Sequence, residues 1–202
     1  MSTLKTTNLQ HPSAGVPAIV LDADGDATYA GVHDFSAATV TGAPQGLVHI
    51  NTTTFSAVSS VSLDNVFTSD YDNYSIVCTF TGSTGINPRI RLRASSTDTT
   101  SGYFSRTFLF GSSTNSTYET TFFAIGDART TTNGFTAQIL APNLASNSVL
   151  MSHHTDSNGS SVAIDLQSGS LPNTTQYDGF TFFPNTGTVT GTIRVYGYSN
   201  GA

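Results

Sequence analysis

The feature that most restricts this chain is a two-residue rhythm. In Tyr74-Ser75-Ile76-Val77-Cys78-Thr79-Phe80, the residues Tyr74, Ile76, Cys78 and Phe80 fall on one side of an extended backbone. In Arg89-Ile90-Arg91-Leu92-Arg93-Ala94, three arginines share one face and the apolar residues share the other. Successive side chains of a strand point to opposite faces, so each pattern describes a half-buried strand. The same reading predicts strands at Tyr103 to Phe110, Glu119 to Ile125, Phe135 to Leu140, Val149 to Ser152, Val162 to Leu166, Gly179 to Phe183 and Thr190 to Tyr198. Turn formers separate them, at Gly82-Ser83-Thr84-Gly85, Asn133-Gly134, Asn158-Gly159 and Asn185-Thr186-Gly187. About eight to ten short strands at this spacing predict an all-β, jelly-roll-like antiparallel β-sandwich. No segment carries a sustained helical period with caps, although Asn143 to Met151 has room for one helical turn.

Composition agrees. Charged residues make up only 10% of the 202, with Ser, Thr and 18 Gly in their place, while 13 Phe and 8 Tyr are spread through the chain. Disordered chains combine few aromatics with high charge, whereas Thr, Tyr, Phe and Val suit a pleated, half-buried surface. The net charge is -6 with a single Lys, Lys5. That balance supplies no basic stripe for phosphates and disfavours nucleic acid. No run of about 18 apolar residues is present, so no transmembrane helix is expected. The opening Met1-Ser2-Thr3-Leu4-Lys5 lacks the apolar core of a signal peptide. The expectation is a protein made in a cytosol that stays there or leaves inside a particle. The single cysteine, Cys78, allows no intrachain disulfide and reads as a small buried hydrophobe.

Residues 1–50 differ from the rest, being rich in Ala, Gly and Pro with only short apolar runs. Ala18-Ile19-Val20-Leu21 suits a strand, and Asp22-Ala23-Asp24-Gly25-Asp26 suits a tight turn. This organisation predicts an extended N-terminal arm over 1–50 and a sandwich over 51–202. An arm with little core of its own orders against neighbours, which favours a homotrimer.

Candidate chemistry is sparse. Asp22, Asp24 and Asp26 resemble the start of a calcium loop, but Gly25 stands fourth instead of sixth and His33 occupies the place of the terminal Glu; the turn reading is preferred. His153-His154 would point to opposite faces of a strand and are read as surface or loop residues, with a metal on a trimer axis as the alternative. The one Glu, Glu119, sits in a Thr-rich strand, and no nucleophile elbow or phosphate loop is present. The reading is therefore of a protein that is not an enzyme and takes no cofactor or metal. Arg89, Arg91 and Arg93 form the one concentrated charge feature. They suit either a contact to a neighbouring subunit or anionic glycan, or a solvated face paired to Asp or Glu. The tyrosines are read as core or interface residues ahead of sugar-stacking platforms.

Two groups of residues carry a resemblance. The opening Leu4-Lys5-Thr6-Thr7-Asn8-Leu9-Gln10-His11-Pro12-Ser13-Ala14 resembles the start of tail-fibre-like and other structural proteins of marine and cyanobacterial tailed phages. Tyr71 to Val77, Arg89 to Arg93 and Gly191-Thr192-Ile193-Arg194-Val195-Tyr196-Gly197-Tyr198 are similar to a C-terminal domain that follows such openings. The resemblance implies a virion component whose anchor includes Leu4, Lys5, Asn8, Gln10, His11 and Pro12, followed by a β-sandwich, commonly trimeric. Because no repeated shaft joins the two, the expectation is a short tail fibre or tail-tip subunit that binds other virion proteins and touches host surface glycans. A capsid decoration or head-fibre protein is the first alternative, and a fibre-borne glycan-degrading enzyme the second. A free carbohydrate-binding module is disfavoured by the missing secretion signal.

Overall fold

The structure, a computed structural model, describes residues 8–9, 19–21, 27–29, 46–110, 116–157 and 162–200. The chain divides into two compact units, Met1–Ala43 and Pro44–Ala202. In the first unit, β1 (Asn8–Leu9), β2 (Ile19–Leu21) and β3 (Ala27–Tyr29) form a three-stranded antiparallel sheet in that order. Leu21 pairs with Ala27. Residues 22–26 themselves, and with them the calcium alternative, lie outside the described residues.

The second unit is a sandwich of two antiparallel sheets. One contains β4 (Leu47–Val58), β6 (Asn73–Gly82), β9 (Phe104–Phe110), β10 (Ser116–Glu119), β12 (Asn133–Leu140), β13 (Ser148–Ser157), β14 (Val162–Leu171) and β16 (Val189–Tyr198). Its order is β10-β9-β14-β13-β12-β6-β16-β4. The other sheet contains β5 (Val61–Leu63), β7 (Pro88–Ala94), β8 (Thr97–Asp98), β11 (Phe123–Ala124) and β15 (Gly179–Pro184). Its order is β11-β7-β15-β5, with β8 pairing to β7. The chain passes repeatedly between the layers, which brings distant residues into register.

The two-residue rhythm builds the core. Tyr74, Ile76, Cys78 and Phe80 of β6 are all buried, as are Ile90 and Leu92 of β7. Phe182 of β15 meets Phe80 at 5.4 Å, Phe135 at 5.6 Å and Phe55 at 6.0 Å between ring centroids. One aromatic from the smaller sheet is thus seated among three from the larger, at spacings suited to edge and offset packing. Buried tyrosine hydroxyls find backbone partners: Tyr103 accepts from the Leu92 N–H at 2.9 Å and donates to the Thr99 carbonyl at 3.0 Å.

Several sequence expectations are corrected. Glu119 to Ile125 is not one strand, because the chain leaves the larger sheet after Glu119 and joins the smaller one at Phe123. Asn143 to Met151 holds no helical turn. Ala141, at φ 55°, turns the chain, and β13 starts at Ser148. Strands β4, β5 and β8 carry no strong alternation and are fixed by their partners.

Candidate functional site

Strand β7 places Arg89, Arg91 and Arg93 on the outer face of the smaller sheet, while Ile90 and Leu92 go inward. The three guanidiniums meet different surroundings. Arg93 is saturated: its Nε donates to Asp64 at 2.7 Å, and Nη1 donates to Asp98 at 2.5 Å and to Thr181 Oγ1 at 2.9 Å. Its side chain is only 12% exposed. Burial by itself would lower the Arg93 pKa, but the hydrogen bonds to Asp64 and Asp98 outweigh it and the net shift is upward. Arg93 is therefore a cation paired to two aspartates.

Arg89 and Arg91 rest on aromatic rings instead. The Arg89 Cζ lies 4.1 Å from the Phe122 centroid and the Arg91 Cζ 4.7 Å from the Phe183 centroid. Those two rings meet edge-on, 6.3 Å apart at 90°. Pairing of β15 with β7 sets Phe183 opposite Arg89. Phe122 arrives from the crossover into β11, whose Ala124 is also opposite Arg89. The Arg91 Nε donates to the Thr121 carbonyl at 3.0 Å, whereas the Arg89 Nε is buried without a hydrogen-bond partner. Desolvation lowers the Arg89 pKa, opposed by the Glu119 charge and assisted by the Arg91 charge. Among the described residues neither Arg89 nor Arg91 forms an ion pair. Each arginine–ring contact contributes on the order of 0.5–1 kcal/mol or somewhat more at such half-buried sites.

A second polar constellation is internal. The two histidines diverge as expected of a strand, but only His153 is at the surface. His154 is completely buried, which corrects its expected surface position. Its Nδ1 lies 3.2 Å from Asp165 Oδ2, directly across the β13–β14 pairing. The same Asp165 oxygen accepts the Asp127 N–H at 2.9 Å. Gly126, at φ +140°, lets this loop approach so closely; a Cβ there would lie 2.7 Å from His154 Nδ1. Alongside, Ser152 hydrogen-bonds Gln167, and both are buried. Sequence reasoning missed His154 and Asp165 as a pair. The available signal was that His154 shares the parity of the apolar Leu150; Leu150, Ser152 and His154 are all buried.

Of the anchor residues, Asn8 lies in β1, opposite Val20; Leu4, Lys5, Gln10, His11 and Pro12 lie outside the described residues. Cys78 is buried, and burial pushes its thiol pKa up. Among the described residues, no three His, Cys, Asp or Glu side chains converge on a metal position, and no helix is long and apolar enough to cross a membrane.

Compared with known proteins, the chain matches no family model, no curated protein and no solved structure.

Proposed function

We propose that this protein is a non-enzymatic structural subunit of a tailed-phage virion, a short tail fibre or tail-tip component that contacts host surface glycans. It assembles in the host cytoplasm as a homotrimer and joins other virion proteins through its N-terminal unit. The observation that carries this reading is the division of the chain into a small N-terminal unit and a large sandwich. The sandwich has a continuous core of its own. The N-terminal sheet has strands of only two or three residues, which bury little by themselves and gain stability by docking against a neighbour. An anchor followed by a head is also the arrangement that the opening Leu4 to Ala14 suggests by resemblance.

Immunogold labelling of intact virions tests the reading. Gold on the tail, lost when residues 1–43 are deleted, is the expected result. Gold over the whole head would make the protein a capsid decoration instead. Its absence from particles would end the structural reading, and release of new reducing ends from host polysaccharide would end the non-enzymatic one.

A further inference from the structure

We propose that Arg89 and Arg91, seated on Phe122 and Phe183, form a binding site for the oxyanion groups of an acidic polysaccharide. The inference deepens the glycan-contacting reading above and rests on it.

Strand β7 contains its own comparison. Three arginines occupy alternate positions on one face, and the structure satisfies one of them completely. Arg93 has two carboxylates, a hydroxyl and the Ser96 carbonyl around its guanidinium. Arg89 and Arg91 have rings beneath them and one backbone carbonyl between them. Partial burial has taken the Arg89 Nε out of water without giving it a hydrogen-bond or ion-pair partner. A cation held in this way gains strongly when an anion arrives, because part of the desolvation has already occurred.

The aromatic floor also prepares the groups for binding. Each guanidinium is held against a ring, so less side-chain freedom remains to be lost. A planar guanidinium edge matches a carboxylate or sulfate with paired N–H donors. Alternate strand residues stand about 6–7 Å apart, so the two arginines can share one oxyanion or take successive ones on a chain. Nucleic acid is a poor occupant, since the chain has a single Lys and a net charge of -6. Glu119 is the one carboxylate whose field raises the Arg89 pKa, and it opposes an incoming anion.

The test uses the full-length protein in affinity electrophoresis at low ionic strength. The gels contain polygalacturonate, dextran sulfate or neutral dextran. Retardation by an anionic polymer but not by neutral dextran is expected, and the two anionic arms tell carboxylate from sulfate. Arg89→Gln and Arg91→Gln should each weaken binding about tenfold or more, the effect of one charge-assisted contact. Arg194→Gln, the same charge change on an exposed residue of β16, should leave it unaltered, and Glu119→Gln should strengthen it. Arg89→Lys keeps charge and stem but loses the fork, so it should also weaken binding in a protein whose melting temperature is unchanged. Equal losses with Arg194→Gln would reduce the interaction to diffuse charge and overturn the site. So would no retardation of the wild type by either anionic polymer, in which case gold on the tail would still leave the virion role standing.

Discussion

The His154 Nδ1 stands 3.2 Å from Asp165 Oδ2, with both side chains sealed inside the sandwich. Because Asp165 also holds the Asp127 N–H, the pair ties the loop before β12 to two strands of the larger sheet. With no exposure to solvent at His154, its role is exerted on the protein itself. It is a point where the fold depends on a polar contact.

Asp165→Leu should therefore be costly. It strips the acceptor from the Asp127 N–H and from His154, and leaves His154 buried without that partner, a loss of about 2–4 kcal/mol. Asp165→Asn keeps an acceptor and should lose less. Urea denaturation of the two variants checks the ranking; equal stability to wild type for the Leu variant would contradict it.

Gly126→Ala addresses the same joint from the backbone side. A residue with a side chain is strained at φ +140°, and its Cβ would crowd His154 and Asp165. The expected cost is about 1–3 kcal/mol from backbone strain, with the crowding in addition. The imidazole resonances of His154 should shift, which ordinary loss of a surface glycine would not produce.

Alkaline pH should destabilise the protein through Cys78. Burial raises its thiol pKa in the folded state, so the unfolded chain releases its proton first. Stability is thus unaffected below about pH 8.5, the usual thiol value, and falls as pH rises above it, by up to about 1.4 kcal/mol per unit. Tyr74 and Tyr103 are shifted upward as well, chiefly by desolvation, and extend the loss beyond about pH 10. Melting curves from pH 7 to 10 should show the decline, and Cys78→Ala should remove its first part. Folded protein should also resist iodoacetamide until denatured.

Phe182 joins the two layers. Phe182→Ala should cost about 3–5 kcal/mol, because three rings of the opposite sheet lose their neighbour. Phe108, by contrast, is 49% exposed on the outer face of β9. Phe108→Ser should change stability by no more than about 0.5 kcal/mol. Paired thermal melts make this comparison.

Alternation along β6 and β7 was enough to place Tyr74, Ile76, Cys78, Phe80, Ile90 and Leu92 inside and the three arginines outside. It was enough because side-chain direction in a strand is a local property of the backbone. The outcome of that arginine face was not legible. Asp64 reaches Arg93 from 29 residues away, Phe122 reaches Arg89 from the crossover ahead of β11, and Phe183 reaches Arg91 from β15. Only Asp98, five residues on across a short hairpin, lay near enough in sequence to be suspected.

The sequence by itself determined that this chain is a β protein with a distinct opening segment, and which side of its clearest strands is apolar. Tertiary structure decided the rest: that the Glu119 to Ile125 stretch divides between two sheets, that His154 turns inward to Asp165, and that one arginine of three is neutralised while two lie on rings. The physical reason is that alternation specifies faces but not partners. Strand pairing and sheet packing join residues far apart in the chain, and no local pattern records which distant carboxylate or ring will be on the other side.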